Sequence, residues 1–319
     1  MLRIWTLTTG EAGMRTQALG LAEAVAAEVP AEIADKTVHP RAPWRWLPGN
    51  LAPRRLAAVV ENPEDFAPPL PGLVIACGRR SIPAALALRR AGVFTVYVQK
   101  PDCAPSHFDM VAAPRHDGLT GPNVIQTRGS IHRVTAQKLA EAAAEWRPRF
   151  EAYPRPWVAV LIGGASKAHS FGPGDALALA EKLKALADSG ASLLVTTSRR
   201  TGTENAAILR NALPQAFFWS SEEDGPNPYF GLLALADHIV VSSDSANMLS
   251  EASFTGAPVH VVELPGGSTR LRRFLNGLYA DGCARRFDGP PLTRWTYTPA
   301  DDRATVARAI LNRLSQGQR

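Results

Sequence analysis

The stretch LRIWTLTTGEAGM, residues 2–14, decides the fold, because an apolar run ends in a glycine turn and leads into a helical pattern. The same construction returns in the second half, where VAVLI, residues 158–162, ends in GGASK, residues 163–167. A strand that turns through glycines into a helix points unpaired backbone N–H groups at whatever lies there. Each copy therefore predicts an anion cradle, and the pair predicts two α/β lobes that face each other across a cleft.

Apolar, β-rich runs alternate with helical patterns in both halves of the chain. In the first helical pattern, Met14, Ala18, Leu21 and Val25 fall on one face at the 3.6-residue period. Such alternation predicts a doubly wound, mainly parallel sheet in each lobe. We expect strands at residues 2–7, 73–76, 94–98, 110–113, 124–127, 158–162, 193–197, 217–219, 239–241 and 259–262.

The length of 319 residues favours two domains of roughly 150 residues each. A helix predicted at 134–146 is followed by prolines at 148, 154 and 156, which places the linker there. The N-terminal lobe is then residues 1–152 and the C-terminal lobe residues 153–319. A last helix, expected at 305–314, either closes the second lobe or crosses back to the first.

Composition excludes several classes of protein. Hydrophobic residues make up 45% and charged residues 20%, so the chain is neither disordered nor fibrous. The 3 cysteines lie far apart, which argues against a disulfide framework or a four-cysteine zinc site and fits a reducing cytoplasm. With no secretory signal and no apolar run long enough to span a bilayer, any membrane contact should be peripheral, on the inner face. The net charge of +6 favours an anionic ligand or surface.

Polar loops follow successive strands of the second half, and all should open at the carboxyl edge of one sheet. Ser198, Arg199 and Arg200 offer hydroxyl and guanidinium donors suited to phosphate oxygens. Ser243 and Ser245 lie where a helix begins, so they and the free N–H groups there would grip a pyrophosphate. Asp244 lies between these two serines, and for it a role as the N-cap of the helix is an equal alternative.

Glu251 lies one turn beyond Asn247 on the same helix face. A carboxylate there would accept hydrogen bonds from the two hydroxyls of a ribose, and the alternative is a solvated glutamate. The predicted donor-binding residues are Gly163, Gly164, Ser198, Arg199, Arg200, Ser243, Ser245, Asn247 and Glu251.

The loops of the first half supply candidates for acid–base chemistry. His116 and Asp117 are adjacent at the carboxyl end of a strand, and Glu11 lies in the first glycine loop. We predict these three as the catalytic residues. The residues predicted for the acceptor or phosphate side are Gly10, Gly13, Arg79, Arg80 and Lys100. No strand ends in an Asp-x-Asp pair and no histidines have metal-ligand spacing, so a divalent-metal mechanism is disfavoured.

The most basic and aromatic stretch is RAPWRWLPGNLAPRR, residues 41–55. Tryptophans interleaved with arginines suit a membrane interface that contains anionic lipid. The alternative is a loop whose tryptophans, Trp44 and Trp46, pack into the first lobe. No recognised nucleic-acid-binding module accompanies the stretch, so we expect no nucleic-acid partner.

Five segments together resemble the ELM-type mitochondrial fission family, and the resemblance spans nearly the whole chain. The segments are TLTTGEAGM at 6–14, CGRR at 77–80, QKP at 99–101, HD at 116–117 and TTSRRT at 196–201. Bacterial members of that family resemble glycosyltransferases of the two-lobed GT-B architecture. More distantly, the chain is similar to lipid-intermediate N-acetylglucosaminyltransferases and nucleotide-sugar 2-epimerases.

The distant resemblance implies roles for particular residues. In those enzymes the C-terminal lobe holds the nucleotide diphosphate and a helical glutamate binds the ribose. The matching positions here are Gly163-Gly164, Ser198-Arg199, Ser242 to Ser245, and Glu251. The chain lacks the histidine that the transferases carry in the first loop and has Glu11 nearby, which leaves the catalytic base open.

The resemblance implies a metal-independent glycosyltransferase that needs no cofactor. It would move a sugar from a nucleotide diphosphate sugar to a cell-envelope acceptor such as a glycolipid. One alternative is a non-enzymatic, membrane-docked scaffold in division or fission. Another is a nucleotide-sugar epimerase or hydrolase.

Overall fold

The computed structural model describes residues 1–299 and 301–317. The chain divides into two compact units, Met1–Arg133 with Asp301–Arg319, and Val134–Ala300. Each unit is built on a six-stranded sheet whose strand pairs are parallel, with helices flanking the sheet. This confirms the predicted α/β class with one Rossmann-like sheet in each half.

The first sheet has the order β2-β1-β3-β4-β5-β6 and the second the order β12-β11-β10-β7-β8-β9. The strands are β1 Leu2–Thr8, β2 Ala31–Thr37, β3 Leu73–Cys77, β4 Phe94–Val98, β5 Met110–Pro114, β6 Val124–Thr127, β7 Trp157–Ile162, β8 Ser192–Thr197, β9 Phe217–Trp219, β10 His238–Ser242, β11 Val259–Val262 and β12 Ala284–Arg286. The helices are α1 Ala12–Glu28, α2 Leu56–Val59, α3 Ile82–Arg90, α4 Ala136–Phe150, α5 Pro173–Asp188, α6 Thr203–Ala212, α7 Tyr229–Leu235, α8 Ala246–Phe254, α9 Thr269–Ala280 and α10 Asp302–Gly317.

Both faces of the first sheet are covered, as β3 illustrates. Leu73 and Ile75 pack in one apolar cluster with α1 and α10, whereas Val74 and Ala76 pack in a second cluster with α3. Successive side chains of a strand point to opposite faces, so a strand covered on both sides needs apolar residues throughout. This is why the continuous apolar runs of the sequence predict these strands.

Helix α10 belongs to the first unit. Of the two positions expected for the last helix, closing the second lobe or crossing back to the first, the chain adopts the second. Val306, Ala307 and Ile310 are fully buried in the same apolar cluster as residues of α1. The guanidinium Nε of Arg308 also lies 3.1 Å from the carboxylate of Glu28 at the end of α1. The chain therefore completes the first unit only at its C-terminal helix.

Helix α4 belongs to the second unit and continues past Pro148, where the sequence predicted a linker. Its last turns bury Trp146 and Phe150, and the Phe150 ring centroid lies 6.1 Å from that of Trp157. A proline this close to the helix end disturbs little of the hydrogen-bond ladder, and the aromatic packing holds the turn. The units therefore divide at residues 133 and 134, before α4, whereas the sequence placed the boundary after it, at 152 and 153.

No range was predicted for the strands β2 and β12 or for the helices α3, α7 and α9. Strand β2 is an edge strand of sequence AEIADKT, and α9 carries three arginines in its first turns. Strand β2 lacks the continuous apolar run of a core strand, whereas Leu271, Phe274, Leu275 and Leu278 of α9 have helical spacing, so α9 was predictable from the sequence. Among the described residues, no helix has both the length and the hydropathy that crossing a bilayer requires.

Two histidines meet inside the second sheet. Nδ1 of His238 on β10 lies 3.2 Å from Nε2 of His260 on β11, and both residues are buried. Burial lowers the pKa of His238, and burial with the neighbouring His238 and Arg285 lowers the pKa of His260 to about 4. The folded protein therefore holds both rings in the neutral state at neutral pH.

We expect this pair to make stability fall in acid. The folded pKa values lie below the ordinary value, so the unfolded chain takes up protons first as the pH drops. The contribution of the neutral histidine pair to the free energy of unfolding is fully present above about pH 6.5. It is lost as the pH falls toward 4, by about 2 kcal/mol in total. Urea unfolding at a series of pH values measures this loss. The variant His260→Leu should flatten the slope, and an unchanged slope would contradict the assignment.

Candidate functional site

The carboxyl ends of β7, β8 and β10 bring three polar loops to one edge of the second sheet. Gly163 and Gly164 follow β7, residues 198–200 follow β8, and residues 243–245 lead from β10 into α8. Neighbouring parallel strands end at the same edge, so the sequence correctly predicts that these loops lie together.

A buried carboxylate ties the three loops to one another. The Asp244 side chain is 0% exposed, and its Oδ2 lies 2.8 Å from Nη2 of Arg200. The Gly164 N–H also donates to Oδ2, at 3.1 Å, and the Ser242 hydroxyl donates to Oδ1, at 2.6 Å. We call Asp244, Arg200, Gly164 and Ser242 the Asp244 clasp. The N-cap of α8 is instead Ser245, whose Oγ accepts the N–H of Met248 at 3.3 Å.

The two glycines of this edge permit close packing. A Cβ on Gly163 would overlap the Asp244 carboxylate, and a Cβ on Gly164, where φ is 137°, would overlap the carbonyl of Arg200. Their N–H groups are engaged within the protein, Gly163 with the Ser242 hydroxyl at 2.7 Å and Gly164 with Asp244. The glycine turn therefore differs from the expected open anion cradle, because its donors already have partners inside the fold.

Three other predicted donor-binding side chains also hold the loops together. The Ser198 hydroxyl donates to the carbonyl of Gly163 at 2.7 Å and accepts the N–H of Arg200 at 3.1 Å. The Ser243 hydroxyl accepts the N–H of Leu264 at 3.0 Å, and the Arg200 guanidinium lies in the clasp. Arg199 is exposed, as is Arg200, and Asn247 lies half-buried in the first turn of α8.

Glu251 is a buried carboxylate on α8. It is 8% exposed, and its Oε2 accepts the Tyr229 hydroxyl at 2.5 Å. Burial raises the pKa of Glu251 to about 7, while the hydrogen bond from Tyr229 opposes that rise. Burial and the nearby carboxylate together raise the pKa of Tyr229 well above its ordinary value, so the tyrosine remains a donor. A carboxyl group that titrates near neutral pH is typical of a functional site.

The first glycine loop lies at the carboxyl edge of the first sheet. Gly10 has a φ of 90° and donates its N–H to Oγ1 of Thr8 at 3.2 Å, and Gly13 lies in the first turn of α1. Glu11 is exposed, and its Oε2 accepts the Thr9 hydroxyl at 2.6 Å. The turn thus presents a carboxylate to solvent at the N terminus of α1.

The basic residues predicted for the acceptor side follow β3 and β4 at the same edge. Nη1 of Arg79 donates to the carbonyl of Trp46 at 3.4 Å and lies 3.9 Å from Asp102. Arg80 and Lys100 are exposed. Directly before Lys100, Gln99 has a φ of 85°, an unusual conformation for a residue other than glycine. Such strain is often retained at functional positions.

His116 and Asp117 form a short 3-10 turn after β5. Nε2 of His116 lies 3.7 Å from Oδ1 of Asp117, and both side chains are almost fully covered by protein. The exposed Glu11 carboxylate is therefore the more accessible of the three predicted catalytic groups. Among the described residues, no group of three or more His, Cys, Asp or Glu side chains could hold a metal ion.

Sequence reasoning missed Tyr229 and His169. His169 is buried where the loop after β7 meets the loop after β11. Two backbone hydrogen bonds join these loops. The Gly267 N–H donates to the Ala168 carbonyl at 2.5 Å, and the Ser170 N–H donates to the Pro265 carbonyl at 3.1 Å. A cavity of about 130 Å³ at this junction is lined by residues that include His169, Ser243, Arg272 and Asn276.

No local sequence pattern marks Tyr229 as a site residue, because its partner Glu251 lies 22 residues away.

Solved structures with similar folds cover nearly the whole chain. MurG of Acinetobacter baumannii is 13% identical with a TM-score of 0.51, and the match covers 99% of this chain and 93% of that one. The UDP-GlcNAc 2-epimerase of Neisseria meningitidis, solved with UDP-GlcNAc bound, is 13% identical with a TM-score of 0.54 and coverages of 99% and 100%. These matches confirm the fold, two Rossmann-like units of the GT-B type.

The sequence comparisons identify a family. The mitochondrial fission ELM1 family model matches residues 12–314. The mitochondrial fission protein ELM1 of Arabidopsis thaliana is 32% identical over 276 residues, which cover 77% of this chain. The matched part spans 64% of the length of that relative. The chain belongs to the mitochondrial fission ELM1 family.

Proposed function

We propose that this protein is a metal-independent glycosyltransferase that moves a sugar from a nucleotide diphosphate donor to a cell-envelope acceptor such as a glycolipid. The observation that carries the proposal is Glu251, a buried carboxylate with a pKa near 7 on the helix that follows the Asp244 clasp. The fold supports it, because MurG and an epimerase solved with UDP-GlcNAc share the same fold.

The donor would bind at the carboxyl edge of the second sheet. Oε1 of Glu251 would accept the ribose hydroxyls, since the Tyr229 hydrogen bond uses Oε2. The exposed Arg199 and the N terminus of α8 would stabilise the negative charge that develops on the leaving diphosphate. The Asp244 clasp would hold the loop that carries Arg199 and the loop that leads into α8 in position. This charge stabilisation would then need neither a metal ion nor a cofactor.

The acceptor hydroxyl needs a general base, and Glu11 is the group that we assign to this role. Its carboxylate is exposed at the N terminus of α1, whereas His116 and Asp117 are covered. Gly10, Gly13, Arg79, Arg80 and Lys100 lie at the same edge of the first sheet and would contribute to acceptor or phosphate binding.

Binding of a nucleotide sugar should strengthen as the pH rises from 6 to 8. The Glu251 pKa lies near 7, and the ionised carboxylate is the better acceptor for ribose hydroxyls. Calorimetric titration with UDP-, GDP- and CDP-sugars measures the effect, and these ligands carry no group that titrates in this range. Glu251→Gln should weaken binding about tenfold at pH 8 and remove the pH dependence.

Tyr229→Phe is the matched control for this titration. Loss of the tyrosine hydrogen bond should raise the Glu251 pKa further, so the increase in affinity should move to higher pH rather than vanish. Absence of binding by all three nucleotide sugars would remove the proposed function. Binding that is identical in the wild type and Glu251→Gln would remove the ribose role alone.

Two other functions have specific support. The likeness to the Neisseria epimerase favours epimerisation or hydrolysis of a nucleotide sugar at the same donor site. The name of the family model, mitochondrial fission ELM1, favours a role in fission, for which the second alternative is a non-enzymatic, membrane-docked scaffold. Incubation with a bound nucleotide sugar in the absence of an acceptor separates them: an epimerase or hydrolase changes the sugar, a transferase leaves it largely intact, and a scaffold binds none.

A further inference from the structure

Exposed large apolar side chains concentrate in one short loop of the first unit. Within residues 1–299 and 301–317, the most exposed are Met1 at 90%, Trp46 at 58%, Leu47 at 42%, Leu51 at 64% and Leu177 at 55%. Three of these five lie between residues 46 and 51, and we call Trp46, Leu47 and Leu51 the apolar tip. Single exposed apolar residues are ordinary, but a local cluster of them marks an interaction surface.

The loop that carries the apolar tip is fixed to the body of the first unit. Trp44 packs against an apolar cluster of that unit, and Gly49 is buried so close to Ile82 that a Cβ there would overlap the isoleucine side chain. The Arg41 N–H donates to the carbonyl of Val59 at 2.9 Å. One of the two tryptophans therefore packs into the unit, and the other, Trp46, is presented to solvent.

Arginines flank the apolar tip in the sequence, and one of them stacks on its tryptophan. Residues 41–60 include Arg41, Arg45, Arg54 and Arg55 and no acidic residue. The Arg45 guanidinium lies 4.1 Å from the centroid of the Trp46 ring, and Arg41 and Arg55 are exposed. Tryptophan and leucine side chains flanked by arginines match the boundary of a bilayer, where apolar groups enter the acyl region and arginines meet headgroup phosphates.

We propose that the apolar tip docks this protein on the surface of an anionic lipid bilayer. The occupant is a membrane rather than a nucleic acid, because the outermost side chains include the aliphatic Leu47 and Leu51, which gain most by leaving water. The docking deepens the proposed function, since it would bring the enzyme to a lipid-linked acceptor, but it rests on residues of the first unit alone.

Vesicle co-sedimentation tests the proposal with the full chain. The wild type should bind vesicles that contain phosphatidylglycerol, bind vesicles of pure phosphatidylcholine far less, and release from the anionic vesicles as salt is added. The triple variant Trp46→Ser, Leu47→Ser, Leu51→Ser should lose about tenfold or more in affinity. Leu177→Ser, an equally exposed leucine of the second unit, is the matched control and should bind like the wild type.

A second variant tests the charge separately. Arg45→Gln with Arg55→Gln should weaken binding to anionic vesicles and reduce its salt dependence while the apolar tip stays intact. Wild-type protein that ignores anionic vesicles, or a triple variant that binds them as the wild type does, would overturn the proposal. The nucleotide-sugar titration is independent of both variants, so its failure would remove the transfer reaction and leave the docking result standing.

Discussion

Asp244→Ala is expected to lower the free energy of unfolding by about 2–4 kcal/mol, because it removes the charged acceptor of two hydrogen bonds inside the fold. The substitution leaves the Gly164 N–H and the Ser242 hydroxyl without their acceptor and Arg200 without its carboxylate. Denaturant unfolding measures the change. Because the clasp holds the loops that carry Arg199 and lead into α8, nucleotide-sugar binding should fall with it.

Asp188→Ala is the matched control for this variant. Asp188 also pairs with a cation, Nζ of Lys184 at 2.7 Å, but its side chain is 63% exposed. A surface pair of this kind contributes about 0–1 kcal/mol. If both substitutions had the same small effect on unfolding, the clasp would not be the element that joins the three loops.

Gly164→Ala is expected to cost about 2–4 kcal/mol and to abolish detectable nucleotide-sugar binding. The residue has a φ of 137°, and the new Cβ would overlap the backbone carbonyl of Arg200, which cannot move without displacing the loop after β8. Thermal and denaturant unfolding give the stability change, and the titration described for Glu251 gives the binding change.

Gly190→Ala separates the strain of a positive φ from the overlap with a neighbouring backbone carbonyl. Gly190 has a φ of 99°, but no atom lies within 4 Å of a Cβ built there. This variant therefore reports backbone strain alone, expected at about 1 kcal/mol with nucleotide-sugar binding intact. Equal losses in the two variants would mean that contact with the Arg200 carbonyl plays no part.

The sequence predicts the fold best where burial is complete. Strands such as β3 and β7 are covered on both faces, so their apolar runs are continuous and their positions can be predicted to within a residue or two. The edge strand β2 buries only part of its surface, and its pattern is correspondingly weak. In α9 the apolar residues do follow the helical period, but the three arginines of its first turns favoured the interpretation of a basic loop. Pro148 misled the placement of the linker, because the end of α4 is held by aromatic packing of Trp146 and Phe150 on Phe217, which lies far away in the sequence.

The candidate site was predictable in location but not in its internal connections. Parallel topology alone places the loops after β7, β8 and β10 at one edge. Which side chains remain available to a ligand depends on contacts between those loops. Arg199 and Arg200 are adjacent in the sequence and both are exposed, yet only Arg200 is paired with the buried Asp244 carboxylate.

The environment of Glu251 shows the same limit. Helical spacing predicts that Glu251 shares a face with Asn247, but its hydrogen bond to Tyr229 joins α8 to α7, a contact between elements that spacing along one helix does not reveal. The pKa near 7 follows from the burial of this carboxylate and not from any local sequence feature. Ionisable groups acquire their chemistry from the folded surroundings.

A crystal structure of the protein with UDP-GlcNAc bound tests the central claim most directly, because it locates the nucleotide. The account predicts ribose hydroxyls within hydrogen-bond distance of the Glu251 carboxylate and a diphosphate beside Arg199 and the N terminus of α8. A nucleotide bound elsewhere, or a ribose turned away from Glu251, would contradict it.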